Sequence, residues 1–299
     1  MPTIVPPLRP DPAGPLSGWR VVVTRAEDQA DGLTERLQAL GAEPVAYPTI
    51  AFAPPDDPRP LAEALRRLAS GGYDWLVLTS VNAVRAVRAA SEMLSPAGPG
   101  LLASPDGNVN MSEVVKVAAV GPTTTAACVE LLGVQPAVVP AKFVAEALAE
   151  ALGNMQGQRV LLANADIARP VLHERLQTAG ALVDRVVAYH TVPASGGTDL
   201  PPLLAEGAID AITFTSGSTV RYFVQRIGPE ALEHARRTVI ACIGPIAADA
   251  ARAAGLPPTI VASTHTEEGL VAALVAWRQQ QLSPILLSSS AAADETPKE

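Results

Sequence analysis

Arg20-Val21-Val22-Val23-Thr24-Arg25, continued through Thr34-Glu35-Arg36-Leu37 to Gly41-Ala42, aligns without a gap on Arg159-Val160-Leu161-Leu162-Ala163-Asn164, continued through His173-Glu174-Arg175-Leu176 to Gly180-Ala181, at a constant offset of 139 residues. Each copy is a short run rich in Val and Leu, which reads as a buried strand, followed by a helical period. Leu33 and Leu37 sit one helical turn apart and land on Leu172 and Leu176, so the core-facing stripe recurs with the surface charges. Gly41 and Gly180 fall where a helix needs a left-handed stop.

The correspondence continues downstream. Tyr73-Asp74-Trp75-Leu76-Val77-Leu78-Thr79-Ser80 matches Ile209-Asp210-Ala211-Ile212-Thr213-Phe214-Thr215-Ser216, and Val117-Ala118-Ala119-Val120-Gly121-Pro122 matches Ile240-Ala241-Cys242-Ile243-Gly244-Pro245. Two copies of one strand-and-helix unit predict a duplicated α/β protein with parallel sheets, not a solenoid of many short repeats. Two extended, proline-marked stretches, Glu43 to Phe52 and Leu182 to Thr191, read as crossings between the domains. The repeat alone leaves open whether each domain is contiguous or exchanges its first strand and helix with the other.

Composition sets the outer bounds. The 299 residues are 48% hydrophobic and 17% charged, enough for two real cores. A formal net charge of −8 argues against a sequence-independent nucleic-acid binder. Two cysteines in dissimilar contexts, Cys128 and Cys242, suggest neither a disulfide framework nor a zinc site and fit a reducing cytoplasm. No window approaches a membrane span, and the proline-rich start is no signal peptide. Residues 1–16 and 282–299 read as flexible tails, and the insertion from Ser95 to Met111 has no assigned role.

In open parallel sheets, ligands gather at the carboxyl ends of the strands, where the next helices aim their N-termini. Here those ends are Thr24-Arg25, Thr79-Ser80-Val81-Asn82, Gly121-Pro122-Thr123-Thr124-Thr125, Asn164-Ala165-Asp166, Thr215-Ser216-Gly217-Ser218-Thr219 and Gly244-Pro245. Unpaired amides and the positive end of the helix dipole suit carboxylates or phosphates. Each turn taken singly is explained as an ordinary helix cap; six of them, two doubled by the repeat, favour a site facing a cleft between the domains. Candidate cations are Arg25, Arg85, Lys142, Arg169 and Arg221; Arg25 is best placed, directly after the first strand. Glycine-rich phosphate loops, a nucleophile elbow and a zinc helix are all absent, so a reaction here would rest on positioning and one mild acid.

Val21-Val22-Val23-Thr24-Arg25, the run Tyr73 to Val84, Val120 to Thr124, Ala188 to Thr191, Ile212 to Ser216 and Ile243 to Pro245 together, and in order, resemble the uroporphyrinogen-III synthase family from about Gly18 to Trp277. The resemblance implies two flavodoxin-like domains joined by a two-stranded ladder. One domain would combine residues 17–42 with 195–281, the other would span 54–180, and 43–53 and 181–194 would be linkers. It implies a lyase without cofactor or metal that closes linear hydroxymethylbilane into uroporphyrinogen III with inversion of the last ring. Partners would be that polycarboxylate and the preceding deaminase, with direct hand-over between the two enzymes left open; the protein would be a cytoplasmic monomer that opens about a hinge.

By the same resemblance, Tyr189 matches the family's conserved tyrosine and becomes the candidate general acid. Arg25, Thr79, Ser80, Asn82, Gly121, Thr123, Thr124, Asn164, Ser216, Gly217, Ser218 and Gly244 are the candidate substrate contacts. One departure is Ile246-Ala247 after the second Gly-Pro, where relatives often carry hydroxyls, so Thr124 should matter more than its counterpart turn. The alternative class is a non-catalytic two-lobed binder or sensor of a small anion; a synthase-like regulator would need an appended DNA-binding module, for which the tail is too short.

Overall fold

The computed structural model describes residues 14–94 and 115–291. The 95–111 insertion lies outside the described residues. In chain order the elements are β1 (Arg20–Val23), α1 (Asp31–Ala39), β2 (Glu43–Ala46), β3 (Ile50–Ala53), α2 (Arg59–Ala69), β4 (Trp75–Leu78), α3 (Val81–Leu94), β5 (Lys116–Ala119), α4 (Pro122–Leu132), α5 (Ala145–Leu152), β6 (Arg159–Ala165), α6 (Val171–Thr178) and β7 (Leu182–Pro193). There follow α7 (Leu200–Ala205), β8 (Ala211–Phe214), α8 (Gly217–Ile227), α9 (Pro229–Ala235), β9 (Val239–Cys242), α10 (Pro245–Ala253), β10 (Ile260–Val261) and α11 (Glu267–Ala291). Contacts divide the chain into two compact units, one drawing on residues up to Ala51 and from Pro193 onward, the other spanning Phe52–Val192.

The first unit holds a five-stranded sheet in the order β10-β9-β8-β1-β2, with parallel pairings throughout. Numbered within the unit, that is the doubly wound order 2-1-3-4-5. The second unit's sheet runs β3-β7-β6-β4-β5, and a parallel bridge from Ala118 to Val138 continues it past β5. Counting from β6 gives 2-1-3-4-5 again, so the duplication seen in sequence is a duplication of topology. β3, which leads into the second unit, lies beside β7, which leads out of it.

Both faces of each sheet are covered, which is why β4, β8 and β9 are buried at every residue and read as continuous apolar runs. In the second unit Leu76 and Leu78 pack with Leu65, Val84 and Cys128 on one face, and Val77 and Leu162 with Leu172 and Leu176 on the other. The first unit repeats this with Ile212, Phe214 and Phe223, and with Val21, Leu33, Leu37 and Leu270. Gly41 and Gly180 hold φ of 83° and 92°, the left-handed stops expected of them.

Three boundaries differ from the sequence reading. Glu43–Ala46, read as linker, is a strand registered on β1 from Arg20↔Glu43 to Val23↔Ala46. It is the edge strand, where the missing N–H of Pro44 forfeits no ladder bond if it faces outward. Leu182 onward, also read as linker, pairs with β6. Finally, Leu16 is fully buried and its N–H bonds to Leu40 at 2.9 Å, while the Arg278 guanidinium reaches the carbonyls of Pro15 and Ser17; helix α11 continues to Ala291. The folded body therefore begins before Ser17 and runs past Gln281.

Candidate active site

The sheet orders reverse direction between β1 and β8 and between β6 and β4, and the carboxyl ends flanking such a reversal are where doubly wound sheets bind ligands. In the second unit, Thr79-Ser80 ends β4 and Asp166 follows β6. Tyr189 reaches this point because β7 is irregular. Asn164 pairs with Val187 but Ala165 pairs with Tyr189, so Ala188 is an extra residue opposite no partner. A bulge of this kind re-aims the next side chain. Val186, Ala188 and Tyr189 consequently all pack on the same core cluster, although strict alternation would send Tyr189 to the other face.

The phenol oxygen of Tyr189 lies 3.0 Å from Ser80 Oγ and also bonds the side chain of Asn82, while its ring meets Phe52 edge-to-face at 5.6 Å. Ser80 Oγ accepts the Ala83 N–H at 3.1 Å, capping α3. In the bond between Ser80 and the phenol either oxygen can be the donor. Burial raises the Tyr189 pKa above its ordinary 10, the hydrogen bonds from Ser80 and Asn82 oppose the rise, and the charge of Asp166 adds to it. The group stays protonated at neutral pH. Once the proton has left, Ser80 and Asn82 can both donate to the oxygen, so the phenolate is held by two donors at a helix N-terminus.

Beside Tyr189, His190 Nδ1 lies 2.9 Å from Asp166 Oδ2, and Asp166 Oδ1 accepts the Thr191 N–H at 3.0 Å. Burial works to raise the Asp166 pKa, but the bonds from His190, Thr191 and Ile167 outweigh it and hold the carboxyl below its usual range. The same bond raises His190. Among the described residues no group of His, Cys, Asp and Glu is arranged to hold a metal ion, and no helix is long and apolar enough to cross a membrane.

Residues 31–272 match the family described as uroporphyrinogen-III synthase HemD. The chain belongs to the uroporphyrinogen-III synthase family. It is 30% identical over 275 residues to the uroporphyrinogen-III synthase of Synechococcus elongatus, covering 89% of this chain and 98% of that one. The corresponding enzyme of Chlorobaculum parvum is 26% identical over 253 residues, with coverage of 81% and 92%. The fold is that of a mutant uroporphyrinogen III synthase from Thermus thermophilus, with a TM-score of 0.61 at 21% identity over 88% of this chain and 99% of the other. The protein is thus an enzyme of the cyclising lyase type in tetrapyrrole biosynthesis, which displaces the reading as a non-catalytic anion binder.

The residues expected at the synthase site fall into distinct groups. Tyr189, Ser80 and Asn82 come together as described, next to Thr79. Gly121 is the N-cap of α4 and makes no side-chain cap bond; Thr123 is exposed, Thr124 is 5% exposed in the first turn, and Thr125 bonds back to the Gly121 carbonyl at 3.0 Å. Asn164, 3% exposed, accepts from Arg185 at 3.3 Å and serves the sheet end. In the first unit, Ser216 closes a capping box with Thr219, and Ser218 bonds Ser216 at 2.8 Å, so the ordinary cap accounts for these two; Gly217 opens α8 and Gly244 caps α10. Arg25 is bound to Glu267 at 2.6 Å and to Gln29 at 3.3 Å, and Arg169 is bound to Glu146 at 2.6 Å.

Sequence reasoning missed the His190–Asp166 pair, and it missed two rings. Phe143 lies against Gly121 and His265 against Gly244. The signal was present: Phe143 and His265 stand 22 and 21 residues after those glycines, one in each copy of the repeat.

Proposed function

We propose that this synthase binds hydroxymethylbilane by its carboxylates at the strand-end turns and that Tyr189 delivers the proton that releases water. The observation that carries this reading is the Tyr189 hydroxyl, kept protonated by burial and flanked by Ser80 and Asn82, which stabilise the phenolate left when the proton departs. The leaving hydroxyl takes that proton while the pyrrole nitrogen pushes electrons toward the methylene, giving an azafulvene and water. The terminal ring then attacks that methylene through its substituted carbon to form a spiro centre. The bond from this centre to the original bridging methylene breaks, leaving a second azafulvene on the third ring, and the free α-carbon of the terminal ring attacks that methylene and surrenders one proton. One proton in and one out leaves only water as by-product. A weak acid suffices because the electron-rich pyrrole supplies the driving force.

The first-turn amides of α3 and α4 other than those of Ala83 and Thr125, which are taken by Ser80 Oγ and the Gly121 carbonyl, are the proposed cradle for acetate and propionate arms. Such a cradle explains how a protein of net charge −8 takes a polyanion. The enzyme works as a cytoplasmic monomer fed by the preceding deaminase. Anaerobic uroporphyrinogen III should slow amide hydrogen exchange at residues 81–82 and 123–124; exchange unchanged by saturating product contradicts the cradle.

A further inference from the structure

Gly121 and Gly244 both have extended backbones, with φ of −174° and 179°, conformations open to any residue. Their glycine identity therefore has another cause. A Cβ on Gly121 would stand 3.1 Å from Cγ of Phe143, and one on Gly244 would stand 3.0 Å from Cδ2 of His265. What each glycine makes room for is a ring. The two copies of the repeat have changed the ring, phenyl in one and imidazole in the other, and kept its seat on the N-cap of a helix that begins with proline.

Each of these residues is also solvent-exposed, Phe143 to 42%. A phenyl group that rests against backbone and keeps exposed area is a flat surface that loses little freedom when something lies on it. Its place matters too. Gly121 follows β5, whose Ala119 pairs with Leu78 of β4, and Ser80 ends β4. The turn under the phenyl thus follows the strand next to the one whose turn holds the Tyr189 hydroxyl, and neighbouring strands lie about 4.8 Å apart. Successive rings of a linear tetrapyrrole are joined by single methylene carbons and are spaced on that scale.

We propose that Phe143 is a stacking seat for one pyrrole ring of the substrate, holding it while the neighbouring ring presents its hydroxymethyl group to Tyr189. This rests on the reading of Tyr189 and the strand-end turns given above. Flat electron-rich rings pair with a phenyl in offset or edge-to-face geometry at centroid distances of about 4.5–7 Å, and such contacts change binding by about two- to tenfold.

The test uses Phe143→Ala, Phe143→Leu and Phe143→Trp, assayed with hydroxymethylbilane for KM, kcat and product isomer. Alanine and leucine should both raise KM by about two- to tenfold with kcat little changed, and tryptophan should restore it. Leucine matching wild type would overturn the seat, because it fills the space over Gly121 without a ring. A second readout does not depend on turnover: the added fluorescence of Phe143→Trp over wild type should be quenched by uroporphyrinogen III, and a signal indifferent to saturating product overturns the proposal. Quenching in a protein that makes no type III isomer would keep the seat and remove the synthase mechanism, so the two failures are distinguishable.

Discussion

Tyr189→Phe removes one oxygen and leaves the ring. The edge-to-face contact with Phe52 and the packing on the surrounding core persist, so the structural loss is confined to the bonds with Ser80 and Asn82. A hydrogen bond between such groups contributes about 0.5–1.5 kcal/mol net. Ser80 keeps its bond to the Ala83 N–H, so the cap of α3 survives. Stability should therefore fall by about 1–3 kcal/mol at most. Activity should fall much further, since a positioned general acid contributes about 10²–10⁴-fold. The assay is kcat for hydroxymethylbilane consumption with isomer analysis after oxidation, beside a denaturant titration of the same preparation. Because the folded phenol ionises above its ordinary 10, the midpoint of any alkaline loss of wild-type kcat from this group should lie above pH 10. A Tyr189→Phe variant with kcat close to that of wild type would refute the role of Tyr189.

Ser80→Ala should cost about 1 kcal/mol through the lost cap and should lower kcat less than Tyr189→Phe, because Asn82 still donates to the phenol; unchanged kcat would mean that Ser80 only caps α3. Arg25→Ala and Glu267→Ala should destabilise alike and non-additively in a double-mutant cycle with KM unmoved, whereas an increase in KM for Arg25→Ala alone would return Arg25 to the substrate. The His190–Asp166 bond predicts a pH signature. His190 is raised above 6.5, so its stabilisation is complete below 6.5 and disappears as pH climbs through the raised value; Asp166 is lowered from 3.8, so its share is complete above 3.8 and disappears as pH drops through the lowered value. The stability gap between wild type and His190→Gln should therefore narrow on the alkaline side, and a gap constant from pH 5 to 9 would contradict the pairing. Thr124→Ala should raise KM, and unaltered kinetics would make Thr124 a core residue of α4.

The duplication made most of the fold legible, because a strand buried on both faces must write itself as an apolar run and a helix above it must repeat Leu33 and Leu37 as Leu172 and Leu176. The edges were less legible. Pro44 reads as a linker until its strand proves to be an outermost one, and Leu182–Pro193 reads as a crossing until its partner β6 is known. Tyr189 was reachable only through family resemblance, since the bulge at Ala188 that turns its phenol toward Ser80 depends on register against a strand more than twenty residues earlier. Arg25 shows what spacing hides: it stands directly after β1, and its partner Glu267 lies 242 residues away in sequence. Phe143 was hidden because a lone exposed aromatic carries no meaning until the glycine beneath it is seen to lack any backbone reason for being glycine.

Simple closure of hydroxymethylbilane in water gives the uninverted type I ring, so isomer identity reports directly on whether this protein directs the terminal ring. With porphobilinogen and a deaminase, addition of the chain should turn the oxidised product from type I to type III porphyrin. Type I alone, in the same proportion with and without the protein, would contradict the account at its centre.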